Sequence, residues 1–124
     1  MSKKSFRSLT KRRDFELVFK EGINSAAKHL VIYVKKNELN YNRLGLSVSK
    51  KVGKAVTRNR IKRLLREAIR KVSEEIPLYY DFVVVARRSS SEAELDDFIR
   101  DMKKSLEKII DNGKDNEKYP YSFN

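Results

Sequence analysis

Between Ile61 and Val72 the residues Ile61, Leu64, Leu65, Ala68, Ile69 and Val72 recur at i, i+3, i+4, i+7, i+8 and i+11, the spacing that lines side chains along one face of an α-helix. A helix patterned in this way must bury that stripe, so the rest of the chain has to supply a surface to receive it. Stepping about 100° per residue, Asn59, Arg63, Arg66 and Arg70 fall on the side opposite the stripe. From Lys50 to Lys71 the cations are Lys50, Lys51, Lys54, Arg58, Arg60, Lys62, Arg63, Arg66, Arg70 and Lys71, against the single acid Glu67; this segment carries +9 of the chain's +12. A solvated helix face usually interleaves acids with bases, because a Glu one turn from a Lys or Arg supports the helix. Here like charges repel without local relief, and the face reads as a phosphate-binding surface.

A chain of 124 residues forms one ordinary domain with one core. It has no cysteine, which excludes disulfides and thiolate metal sites and agrees with a reducing compartment. The one histidine, His29, precedes a strand and is expected at its rim. No apolar run approaches the ~20 residues that span a bilayer, and the N-terminal cations have no apolar segment behind them, so no secretory signal is read. These features predict a cytoplasmic protein with no membrane partner. With a sequence pI near 10.0, the expected large partner is nucleic acid.

Residues 1–13 contain six cations and no acid, and residues 1–10 read as a basic arm, mobile when free. The domain proper is expected over 11–110. Thr10 is placed to cap a helix from Lys11 to Glu21, which Gly22 would end; on it Phe15, Val18 and Phe19 lie at i, i+3 and i+4. Ile23–Ala27, Leu30–Lys36 and Arg43–Val48 read as strands, the last two expected as an antiparallel hairpin. Gly53 stands in the link to the basic helix, Thr57 is a candidate cap, and Pro77 forbids continuation of the helix. Phe82, Val83, Val84 and Val85 in succession read as a buried central strand, so strand, helix and strand follow as in a parallel crossover. Ser91 and Glu94 have capping-box spacing before a final amphipathic helix from Leu95 to Ile110. Residues 111–124 are expected to form a flexible tail. Residues 72–124 hold eight cations and twelve acids, so the positive field belongs to the N-terminal part.

The stretch Leu46 to Glu67, with Arg-Asn-Arg at Arg58, Asn59 and Arg60, closely resembles the protein subunit of bacterial ribonuclease P, as does the block Asp14 to Gly22. The order of elements matches over about residues 6–110. The resemblance implies an α/β sandwich of order αβββαβα. Its four-stranded sheet would be covered by helices on one face, with a left-handed βαβ crossover similar to that in the second domain of a small-subunit ribosomal protein. Without the resemblance the usual right-handed crossover would be expected. It also implies two surfaces. One, for the catalytic RNA of ribonuclease P, would comprise Lys50, Lys51, Lys54, Arg58, Asn59, Arg60, Lys62, Arg63, Arg66 and Arg70. The other, a cleft of Phe15, Phe19, Val31 and Tyr33, would take the single-stranded 5′ leader of precursor tRNA, since unpaired bases stack on aromatic faces with little sequence preference.

In that reading the chain is the accessory subunit of an endoribonuclease that removes the tRNA 5′ leader and leaves 5′-phosphomonoesters. Hydrolysis would rest on Mg2+ held by the RNA. No residue of the chain is assigned as catalytic or as a metal ligand, and no obligate protein partner is expected. Asp14 and Glu16 point to different sides of their helix and read as surface residues. A competing reading is a ribosomal or other structural RNA-binding protein, which has no need of an aromatic single-strand cleft. A helix-turn-helix DNA reader is disfavoured because no short partner helix precedes Thr57.

Overall fold

The computed structural model of the protein describes residues 6–74 and 79–114, the last five of these by backbone alone. The elements run β1 (Phe6–Ser8), α1 (Arg12–Glu21), β2 (Ile23–Ala26), β3 (Leu30–Lys36), β4 (Asn42–Ser47), α2 (Ala55–Ser73), β5 (Tyr80–Ala86), a short 3-10 turn (Arg88–Glu92) and α3 (Leu95–Lys114). The strands form one sheet in the order β1-β4-β5-β3-β2. β5 pairs in parallel with β4 and antiparallel with β3. The strand, helix, strand sequence is thus a crossover between parallel neighbours, while the expected hairpin of β3 with β4 does not form. β5 takes the place between them, since a strand apolar on both faces is best buried at the centre of a sheet.

The sheet has five strands rather than four. Phe6–Ser8 pairs in parallel with Asn42–Leu44, and the Leu9 N–H donates to the Leu44 carbonyl at 2.9 Å. The cause lies in the apolar residues among the cations of the arm: Leu9 is buried, and the Phe6 ring lies 6.1 Å from that of Phe82. Residues 1–5 lie outside the described residues, as do Pro77 and most of the expected tail; α3 runs on to Lys114.

Alternation along the strands divides the apolar residues between two layers. Leu30, Ile32 and Val34 of β3 and Phe82, Val84 and Ala86 of β5 face the main core, where they meet Ile61, Leu65, Ala68 and Ile69 of α2 and Phe98, Met102 and Leu106 of α3. The stripe read from the sequence is therefore the buried face of α2, with Leu64 only half-buried. Val83 and the partly buried Tyr33 and Val85 face the other way, where they pack with Leu9 and with Val18 and Phe15 of α1. Helices thus lie on both faces of the sheet rather than one: α2 and α3 on one side, α1 on the other.

The helix starts differ from those expected. α1 and α2 begin after Lys11 and Lys54, neither start with a side-chain cap, so Thr10 and Thr57 do not serve. Gly53 has φ of 157°, and a Cβ there would come within 3.1 Å of Thr57 Cγ2; this backbone position, rather than a hydroxyl, sets the turn into α2. At α3 the cap comes from Asp97, whose Oδ2 accepts the Glu94 N–H at 2.9 Å, whereas Ser91 Oγ donates to the Arg88 carbonyl. That accepted N–H, with the Arg100 guanidinium beyond it, holds the Asp97 carboxyl below its usual pKa.

Candidate nucleic-acid interface

On α2, Asn59, Arg63, Arg66 and Arg70 are all exposed, as the helical geometry requires once the opposite stripe is buried. Among the described residues none of these three arginines is ion-paired to an acid. Lys50, Lys51 and Lys54 are exposed ahead of the helix, and Lys62 is half-buried on its flank. Arg58 and Arg60 are turned inward. Arg58 Nε donates to the Gly53 carbonyl at 3.2 Å, and Arg60 Nη2 donates to the Ala93 carbonyl at 3.2 Å and to Glu94 Oε1 at 3.0 Å. These two arginines brace the ends of neighbouring elements, and four side chains carry the open face. Arg66 and Arg70 also line a groove with Phe6, Arg7, Ser8 and Leu44. Arg7, exposed in β1 with its guanidinium 4.0 Å from the Tyr41 ring centroid, extends the cationic surface onto the sheet edge. No local pattern signals this, because it depends on the parallel pairing of β1 with β4.

On the other face, Phe15, Phe19, Val31 and Tyr33 come together as expected. Val31 and Tyr33 share the face of β3 that looks toward α1, and their partners on β5 are Val85 and Val83. Phe19 stands 4.8 Å from Tyr33, edge to face at 81°, and 6.3 Å from Phe15. It remains 41% exposed, so part of its ring is open to solvent beside Tyr33. Phe15 lies on Gly45 of β4, where a Cβ would come within 2.5 Å of Phe15 Cζ and 3.0 Å of Leu9 Cδ2. Gly45 pairs with Val83, and Ser47 with Val85, so β4 completes the floor. Val85 and Gly45 escape sequence reasoning because their place depends on strand register rather than on local pattern.

Beyond the Val31 and Val85 row the floor opens toward Lys28, Arg87 and Arg88, all exposed. Arg87 Nη1 donates to the Ala27 carbonyl at 2.9 Å, and Ser89 Oγ to the Lys28 carbonyl at 2.8 Å. His29, expected at the rim, is buried. Its N–H donates to Asp101 Oδ2 at 2.8 Å, and its Nδ1 lies 3.0 Å from Ser89 Oγ. Since the Ser89 hydroxyl proton is directed at Lys28, the histidine Nδ1–H must be the donor to Ser89. The ring stands edge to face on Phe98, and its role is to join the β2–β3 turn to α3.

A ribonuclease P family profile matches residues 3–110. The ribonuclease P protein component of Clostridioides difficile is 47% identical over 105 residues, covering 84% of this chain and 89% of that protein. Among solved structures, the ribonuclease P protein of Staphylococcus aureus superposes with a TM-score of 0.71 at 35% identity, covering 81% of this chain and 92% of that one. That of Thermotoga maritima gives 0.69 at 36% identity, covering 79% and 93%. The chain belongs to the ribonuclease P protein family.

Membership makes it the protein component of an endoribonuclease complex that processes tRNA and is built with the ribonuclease P RNA, and it sets aside the ribosomal and DNA-binding readings. No described helix is long and apolar enough to cross a membrane. The carboxylates nearest the cleft do not fit a magnesium ion. Asp14, expected as a surface residue, is half-buried with Oδ2 3.4 Å from Arg43 Nη1. Asp81 is gripped by Arg43 Nε at 2.8 Å and Nη2 at 2.6 Å and by Asn37 Nδ2 at 2.9 Å. A guanidinium already occupies the place a cation would take; Asp81, hydrogen-bonded to it, raises the Arg43 pKa above its usual value against the opposing effect of burial. Glu16, exposed, pairs with Arg12 at 3.1 Å.

Proposed function

We propose that the chain assists removal of the 5′ leader of precursor tRNA by holding two RNAs on opposite sides of its sheet. The α2 face of Asn59, Arg63, Arg66 and Arg70, with Lys50, Lys51, Lys54, Lys62 and the edge-strand Arg7, takes phosphates of the ribonuclease P RNA. Arg58 and Arg60 contribute to that surface by fixing the start of α2 and its junction with α3. The cleft of Phe15, Phe19, Tyr33 and Val31 takes unpaired leader bases, and Lys28, Arg87 and Arg88 at its open end neutralise their phosphates. Hydrolysis belongs to magnesium held by the RNA; this chain orients the leader and adds positive field.

The observation that carries the leader assignment is the exposure of Phe19 beside Tyr33 on a floor of partly buried apolar residues. An aromatic ring left open beside a second one offers unpaired bases a place to stack. The test is Phe19→Ala in the assembled holoenzyme. Loss of one stacked base weakens binding by ~1–3 kcal/mol, so precursor tRNA should dissociate more readily by that amount while mature tRNA is unchanged. Equal weakening of both ligands would return Phe19 to a packing role.

A further inference from the structure

The attachment of α1 to the sheet is thin for an element that must hold a cleft open. Among the described residues the main core contains nineteen buried apolar residues, whereas the cluster beneath α1 contains three, Leu9, Val18 and Val83, with Phe15, Tyr33 and Val85 partly buried against them. Val18 is the only buried residue of the helix itself. Apolar contact is non-directional, and a patch of this size does not by itself fix where the helix lies. The C-terminal end of α1 is positioned by chain connection, since Gly22 packs on the Val34 carbonyl, where a Cβ would come within 3.0 Å, and leads directly into β2. The N-terminal end follows a short link from β1 and needs a directional contact.

Asp14 supplies one. Among the described residues its bond to Arg43 is the only ion pair between α1 and the sheet. Arg43 is itself immobilised by its forked grip on Asp81, a carboxylate whose side chain is only 3% exposed and which Asn37 holds from another side. A bidentate guanidinium has a fixed plane, which leaves Nη1 aimed at Asp14. The register completes the geometry: Arg43 pairs with Asp81, and two residues on Gly45 pairs with Val83 on the same face. Asp14 is adjacent in sequence to Phe15, whose ring lies on Gly45.

We propose that Asp14, through Arg43 and Asp81, is a positioning residue that sets the width of the aromatic cleft by pinning the first turn of α1 over β4. The pin holds Phe15 on Gly45 and, one turn on, Phe19 against Tyr33. This inference rests on the leader reading for its functional consequence but not for its structural one, and the experiment separates the two.

The variant is Asp14→Asn, which keeps volume and shape and removes the charge; Arg43 variants are avoided because they leave Asp81 buried without its partner. In the free protein, proton NMR of the Phe19 and Tyr33 rings should show reduced mutual ring-current shifts, while resonances from the α2 face stay in place. In the holoenzyme, affinity for leader-bearing precursor tRNA should fall about two- to fivefold, the scale of a partly exposed ion pair, with mature tRNA unaffected and with Asp14→Glu restoring part of the affinity. Unchanged ring shifts would overturn the proposal, as would equal weakening of precursor and mature tRNA. If Phe19→Ala leaves leader affinity untouched, the leader reading fails, and the ring shifts alone still decide whether Asp14 sets the cleft.

Discussion

Gly45→Ala is the smallest change that should disable the cleft while sparing the basic helix. Gly45 has an ordinary strand backbone, since among the described glycines Gly53 alone has a positive φ, so alanine meets no conformational penalty and the effect is steric. The added methyl would stand 2.5 Å from Phe15 Cζ and 2.8 Å from Cε1, well inside ordinary carbon contact. The backbone of β4 cannot retreat because β1 and β5 pair with it on either side, so the Phe15 ring must lift. Overpacking of this kind costs ~1–3 kcal/mol, which for a domain of this size lowers the melting temperature by roughly 4 °C per kcal/mol. Moving Phe15 also displaces Phe19, so precursor tRNA should bind more weakly and mature tRNA should not. The assay is a double-mutant cycle of Gly45→Ala with Phe15→Ala, read by thermal unfolding. Once the ring is gone the methyl has room, so the pair should be less destabilising than the sum of the two, with a coupling of about 1–3 kcal/mol. Strict additivity would refute the packing of Phe15 on Gly45 as the basis of the cleft.

Neutralising Arg63, Arg66 or Arg70 should weaken assembly with the ribonuclease P RNA and lower the salt slope by about 0.7–0.9 for each phosphate no longer neutralised; Arg60→Gln should instead lower the melting temperature, because its Nη2 bonds stay within the protein. Association constants measured across salt concentrations check this, and slopes unchanged for all three open-face variants would return α2 to ordinary solvation. Tyr80, 1% exposed, has its phenol pKa pushed up to about 12 by burial. Its folded pKa is thus raised above the unfolded value, so its contribution of about 3 kcal/mol is whole below pH ~10 and is lost as pH rises from ~10 toward ~12. Ultraviolet titration should show a late-ionising step that Tyr80→Phe removes, together with a melting temperature that falls over the same pH range; a late step that persists in Tyr80→Phe would exclude this.

Local pattern is enough for the helices and for most strands. The 3.6-residue period of Ile61 to Val72 places both the buried and the open faces of α2, and the β-branched run within Leu30–Lys36 marks that strand to its ends. What local pattern does not carry is which strands become neighbours. The alternation in β3 and β4 identifies two strands but not that β5 separates them, and Phe6 and Leu9 are hidden in a run of cations whose charge dominates the reading. The same limit applies to the sites. Asn59, Arg63, Arg66 and Arg70 follow from one helix and are legible; the inward turn of Arg60 depends on α3 and is not. Phe15 and Phe19 are visible as a helical pair, while Gly45, Val85 and Arg43 join them only through register. His29 looks like a rim residue because the buried Asp101 that receives its N–H lies seventy-two positions away.

β5 explains how one small domain can present two unlike surfaces without conflict. Its odd and even residues serve different layers: Phe82 and Val84 seat α2 and α3, and Val83 and Val85 support α1 and the cleft floor. The larger apolar cluster lies under the basic helix, where mutual repulsion of the cations has to be resisted. The small cluster lies under α1, where an exposed aromatic edge is kept and a single forked arginine supplies direction. A change on the core side of β5 should therefore act through global stability, and one on the cleft side through local placement of α1. The asymmetry follows from the pleat of one strand, and it lets the basic face of α2 and the aromatic cleft be altered separately although they are only one sheet apart.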